Sequence, residues 1–333
     1  MFYKTRTSCS RWISKGDLMI SENYLQRAIE PNELYSVEAI YQKMQLVFQQ
    51  HERLLVLLDE TLAPHIFDDL KKSLRSDKII YIPLAKGNGY KDTPLFFFEI
   101  TDEKILKDIG LQLAEHLFHN FDISNNEYLV YGFGTSDYEN DELNRKFKAS
   151  LVLQDIESKI LFRWYDPRVM IYLDQIFNEP QMNSLLGNFN QWHFIHPTGY
   201  YQWDNIAQKK LVRKTINKIS AQQSLALDLI EISNIVFKSA YQLEQIDNNK
   251  LKIQKILKNL YQAHEHYHIT KYTDLVSYGL YAEVLGQSFM QHPYIQKVLQ
   301  QYLHTEPEKY DFTEAMNFVA EDSWTLIKTE IIE

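Results

Sequence analysis

Apolar residues recur along this chain with two periods, and the changes of period mark out its elements. Leu34, Val37, Ile40, Tyr41, Met44, Val47 and Phe48 follow helical spacing and predict a helix over residues 33–50. Residues 54–59 then read as a buried strand, Leu-Leu-Val-Leu-Leu-Asp. A helix over 62–74, a strand over 78–84, a Gly87-Asn88-Gly89 turn and a strand over 95–100 follow. Thr101 is the expected cap of a helix ending near Asn120. Strand is predicted over 128–133 and helix over 137–148. Residues 151–154 and 159–165 read as a hairpin closed at 155–158. Its second arm, Leu161-Phe162-Arg163-Trp164-Tyr165, reads as a strand that turns directly into a helix. Asp166 stands at the N-cap, where its carboxylate accepts an orphan backbone N–H. Pro167 takes the first helical position, where no N–H is needed. A short helix near 181–186 and aromatic strands over 191–195 and 199–203 close the region.

Beyond Asp204 the pattern is helical, with no convincing strand. Leu225, Leu229, Ile232, Ile235 and Val236 share one face; Leu251, Ile256, Leu257 and Leu260 share another. Further helices are expected over 275–289, 295–303 and 315–327. The fold expected is α/β: a mixed sheet with packed helices, then an all-α C-terminal domain. The expected division is a helical lead-in over 1–52, an α/β domain over 53–204 and a helical domain over 205–333. With no long flexible linker, the two domains are expected to pack together.

Composition narrows the class. Hydrophobic residues make up 45% and charged residues 24%, an ordinary globular balance. With 10 Gly, 9 Pro and 14% aromatics, the chain is rich in packing groups and poor in those of disorder. Cys9 is the single cysteine, so no internal disulfide forms, which fits a reducing cytoplasm. The first twenty residues lack the apolar core of a signal peptide, and no apolar run is long enough to span a bilayer. The net charge of −9 disfavours a nucleic-acid partner, and no membrane partner is expected. Residues 1–204 carry −8 of that charge and residues 205–333 only −1. The second part holds two basic runs, Lys209, Lys210, Arg213, Lys214 and Lys218, and Lys250, Lys252, Lys255 and Lys258, that read as solvated helix faces.

Few residues carry candidate chemistry. His264-Glu265-His266-Tyr267-His268 matches H-E-x-x-H, which on a helix sets two imidazoles on one face for zinc with the glutamate as base. Polar neighbours weaken the match, and His268-Ile269-Thr270 reads as a helix end, with Thr270 capping the next helix. His116 and His119 read as a favourable helix C-terminus rather than a metal site. Gly132-Phe133-Gly134 lacks the third glycine of a dinucleotide loop. Trp192, His193, His196, Tyr200, Tyr201 and Trp203 form an aromatic cluster. It reads first as buried packing and second as a protein-binding surface, a groove next to the domain boundary.

The run Leu161 to Val169 resembles the F-R-[FWY]-Y-D-P-R-V signature of the type VI secretion effector adaptors, also called effector chaperones. Residues 53–59, Arg-Leu-Leu-Val-Leu-Leu-Asp, look like that family's opening strand, with Leu55 where the family often has Tyr. Gln191-Trp192-His193-Phe194 looks like its closing aromatic strand. The similarity covers about residues 53–196. A looser likeness to type VI-associated helical tails runs from Ala263 to Leu299, with His268 in place of the usual Gly. The resemblance implies a non-enzymatic, cofactor-free cytoplasmic adaptor that binds a secreted toxin effector and loads it onto the VgrG spike. Its signature or protein-binding residues would be Arg163, Trp164, Tyr165, Asp166, Pro167, Arg168, Trp192, Tyr200, Tyr201 and Trp203. The alternative is a zinc-dependent hydrolase using His264 and His268 with Glu265 as base.

Overall fold

The computed structural model describes residues 26–27, 36–61, 70, 72–82, 95–155, 158–204, 218–243, 252–305 and 311–331. Cys9, most of the expected 62–74 helix, the 87–89 turn and the basic residues from Lys209 to Lys214 lie outside them. The chain divides into two compact units, Met1–Ile219 and Ser220–Glu333. The expected boundary near 204 falls at the edge of residues 205–217, which are not described.

The first unit is built on β1 (Gln26–Arg27), α1 (Val37–His51), β2 (Leu54–Asp59), β3 (Ile79–Tyr81), β4 (Leu95–Ile100), α2 (Glu103–Phe118), β5 (Val130–Thr135) and α3 (Asn140–Ser150). A small hairpin, β6 (Val152–Gln154) and β7 (Lys159–Leu161), leads into α4 (Pro167–Met170), α5 (Leu173–Ile176) and α6 (Glu179–Leu186). Strands β8 (Gln191–His196) and β9 (Gly199–Asp204) follow. Seven strands form one sheet in the order β1-β9-β8-β5-β2-β4-β3.

Every described pairing in that sheet is antiparallel, which corrects the expected mixed sheet. Alternation of strands with helices, together with the 151–165 hairpin, is what suggests a mixed sheet. Instead β2 lies between β4 and β5 and runs against both, from Leu54 opposite Ile100 to Asp59 opposite Leu95. The hairpin β6–β7 stands apart from the sheet. Among the described residues, parallel pairing is limited to one isolated bridge, Gln154 to Lys218.

β2 is central and buried along its whole length. Leu54, Val56 and Leu58 face Ile40, Met44 and Val47 of α1 and Leu106, Ile109 and Leu113 of α2 in one apolar core. Strand alternation turns Leu55 and Leu57 to the opposite face. That second side is aromatic: Phe97 packs edge-on against Phe147 at 4.9 Å, and Phe189 lies 4.6 Å from Trp192. Burying each such side chain contributes about 1.5–3 kcal/mol, so β2 is held from both faces. Gly132 on β5 makes the aromatic layer possible. A Cβ there would meet the His193 carbonyl at 2.6 Å and the Trp192 ring at 2.9 Å.

Local signals set several boundaries. Asp102, not Thr101, caps α2, its carboxylate accepting from the Lys104 N–H at 2.8 Å. Thr101 instead accepts from the Lys78 ammonium at 2.9 Å. An Asn178–Gln181 capping box starts α6.

In the second unit the described elements are helices: α7 (Ala221–Tyr241), α8 (Ile253–Tyr267), α9 (Tyr272–Leu285), α10 (Pro293–Thr305), α11 (Phe312–Met316) and α12 (Glu321–Ile331). The expected 275–289 helix stops at Gly286, whose φ of 101° leaves the helical region; a 3-10 turn at Gln287–Gln291 follows. The expected last helix is split after Met316, because Glu321 and Asp322 open a new first turn. Tyr278, Phe289 and Phe312 form its aromatic centre, with ring centroids 5.2 and 5.7 Å from Tyr278.

Candidate functional site: the corner after the hairpin

Asp59 is a carboxylate at the end of an otherwise aliphatic strand, only 2% exposed. A charge so placed needs partners, since an isolated buried carboxylate is too costly to keep. Its Oδ2 accepts from Arg163 Nη2 at 2.9 Å and from the Tyr165 hydroxyl at 3.1 Å. Its Oδ1 accepts from the Thr61 backbone N–H at 2.9 Å and from the Thr61 hydroxyl. Arg163 Nη2 also donates to the Tyr131 hydroxyl at 2.9 Å, and its guanidinium lies 5.7 Å from both the Tyr131 and Tyr165 ring centroids. The two tyrosine rings meet edge-on at 5.3 Å.

The expected strand through Tyr165 ends at Leu161. Residues 162–166 form a turn instead, with the Asp166 N–H donating to the Arg163 carbonyl at 3.1 Å. This lets consecutive side chains diverge. Trp164 enters the aromatic layer and donates to Ser150 Oγ at 2.9 Å, while Arg163 and Tyr165 reach Asp59. Asp166 caps α4 as expected, accepting from the Arg168 N–H at 3.0 Å with Pro167 in the first turn. The same carboxylate accepts from Arg168 Nη2 at 2.6 Å, and that guanidinium covers the Tyr128 ring at 4.8 Å.

The corner holds charged and hydroxyl donors and acceptors in fixed positions. Burial pushes the Tyr165 hydroxyl well above its usual range, and the Asp59 charge adds to that. Tyr165 is therefore a donor, not a base. Burial alone would lower the Arg163 pKa, but Tyr165, Tyr131 and Asp59 outweigh it and hold it high. Asp59, Thr61, Leu151, Leu161, Arg163 and Tyr165 line a cleft of about 110 Å³. That is room for one side chain, not for an enclosed substrate of drug size, which takes about 300 Å³ or more.

The aromatic segment behaves differently from its second reading. Trp192, Tyr200, Tyr201 and Trp203 are all buried, at 0–7% exposure, so they pack the sheet and present no open groove. His193 sits among them, stacked on Phe133 at 4.8 Å. Its Nδ1 pairs with the Tyr200 hydroxyl at 2.7 Å and its Nε2 with Gln191 Oε1 at 3.1 Å. Burial, with the Lys43 charge adding, brings the His193 pKa down to about 3. Burial and the Arg168 charge do the same to His196, also to about 3.

His264, Glu265 and His268 are not assembled on one helical face. α8 ends at Tyr267, and His268 takes the left-handed conformation, φ 55°, that closes the helix. His264 Nδ1 lies 3.2 Å from Glu265 Oε1 on the surface. Lys271 rather than Thr270 stands at the cap of α9. No group of three His, Cys, Asp or Glu able to hold a metal occurs among the described residues.

Sequence reasoning missed Asp59, Thr61, Tyr128 and Tyr131 as members of the corner. One signal was available: an acidic residue closing a fully apolar strand must find a cation in the fold. Among the described residues no helix is long and apolar enough to cross a membrane. No protein-family model, no curated protein and no solved structure matches the chain.

Proposed function

We propose that this chain is a non-enzymatic adaptor that holds a secreted toxin effector in the bacterial cytoplasm and loads it onto the VgrG spike. The observation that carries the reading is the meeting of residues 53–59 with residues 161–169. These are the segments that bear the resemblance to the type VI effector adaptors, and Asp59 and Arg163 join them at 2.9 Å across 104 residues of sequence. Asp59, Arg163, Tyr165, Tyr131 and Thr61 are hydrogen-bonded to one another, with Arg163 Nε buried and left without a partner among the described residues. Such a joint fixes the shape of a recognition surface, with Leu161 left 56% exposed at its rim. The zinc-hydrolase alternative requires His264 and His268 on one helical face, and His268 lies past the helix end. The test is affinity purification of the tagged chain from its host while the secretion system is expressed. A toxin or a spike protein recovered in comparable amount supports the adaptor; recovery of neither contradicts it.

A further inference from the structure

The helical unit carries a groove that the adaptor reading does not use. It is a groove of about 740 Å³, about half open to solvent, among α8, the turn at Gly286 and α12. That is within the range of about 300–1,000 Å³ typical of ligand-enclosing sites. Lys255 and His266 of α8 and Lys328 of α12 line it, together with Gln262, Gln287 and Gln291. Among the described residues, no carboxylate lines it. In a chain of net charge −9, two lysines without a lining acid are a local reversal of sign. Both ammonium groups belong to exposed residues. Glu283, whose charge Lys255 does reach, stays off the groove wall, half-buried and within 3.5 Å of the Asn259 amide. The lining amides of Gln262, Gln287 and Gln291 can both donate and accept, and Gln287 already donates to Asn259 Oδ1 at 2.7 Å.

We propose that this groove binds a short acidic peptide segment, its carboxylates on Lys255 and Lys328 and its backbone on the glutamine amides. A peptide fits better than a nucleic acid. The acidic chain as a whole repels a long polyanion, whereas a few carboxylates placed in the groove lie nearest the two lysines. The groove stands or falls separately from the corner, since it shares no residue with it.

The probe is a fluorescein-labelled ten-residue peptide of alternating glutamate and alanine, titrated against the full chain by fluorescence anisotropy. Its glutamine counterpart and an oligothymidylate of equal length serve as competitors for the reading. The glutamate peptide is expected to bind at least tenfold tighter than the glutamine peptide and to weaken as salt is raised. The double variant Lys255→Glu, Lys328→Glu should lose at least tenfold of that affinity. Lys258→Glu, on an exposed lysine of α8 that does not line the groove, should lose little. Both substitutions are on the surface, so circular dichroism should be unchanged. Equal binding of the two peptides, equal binding of the oligothymidylate, or an unchanged affinity in the double variant would overturn the proposal.

Discussion

Asp59 and Arg163 lie 104 residues apart and meet at 2.9 Å, while His264 and His268 lie four apart and share no site. Only the histidine pair stands out as a pair in the sequence. Only the distant one forms a constellation. Local spacing tells which residues share a face if the helix continues, and His268 ends the helix instead. Burial works the other way. A carboxylate fixed inside a sheet draws in every donor the fold can bring near, whatever the sequence separation. The same contrast runs through the histidines: His193 and His196 are buried and neutral, and His266 and His268 are exposed.

The largest expected effect lies with the buried histidines. Their folded pKa values are near 3 against an ordinary 6.5, so the unfolded chain takes up protons first as the pH falls. Their contribution is complete above about pH 6.5 and is lost progressively toward pH 3, on the order of several kcal/mol in all. Urea midpoints measured from pH 7 to pH 4 should fall steeply, and His193→Gln should make the fall shallower. A variant with the same slope as the parent would place His193 at the surface.

Removing the centre of the corner comes next. Asp59→Ala leaves Arg163 and Tyr165 without their acceptor, and the expected cost is about 2–3 kcal/mol. That figure is reduced from the fully buried case because Arg163 retains 35% of its side-chain exposure. Chemical denaturation reads it directly, and a cost below about 0.5 kcal/mol would make Asp59 an ordinary surface acid.

Asp166→Ala tests the local half of the corner. Loss of the α4 cap and of the Arg168 pairing should cost about 1–2 kcal/mol, less than Asp59→Ala. The reverse order of the two variants would make the corner a local turn rather than a long-range joint. The smallest effect, of opposite sign, is at the histidine run. His268→Gly relieves a side chain from left-handed backbone and should raise stability by up to about 1 kcal/mol. A fall of similar size would give the imidazole a role the helix end does not.

What the sequence made legible follows the same division. Strands β2 and β4 match their expected limits because uninterrupted apolar runs between polar breaks are local. The Asp166–Pro167 start of α4 was legible for the same reason. Thr101 and Asp102 are both good caps and adjacent, so propensity could not separate them; the hydrogen bond to Lys104 did. The antiparallel order was hidden because strand–helix–strand looks alike whether or not a third strand enters between. The aromatic segment reads first as buried packing, but the place of Trp192 against Gly132 and Gly134 of β5 is a cross-strand match that no single segment displays.

The most direct measurement is a double-mutant cycle on Asp59→Asn and Arg163→Met, read by urea unfolding at neutral pH. If the two resemblance-bearing segments form one joint, the double variant costs less than the sum of the singles, with a coupling of about 1–3 kcal/mol. Additive costs, with coupling within about 0.3 kcal/mol of zero, would contradict it.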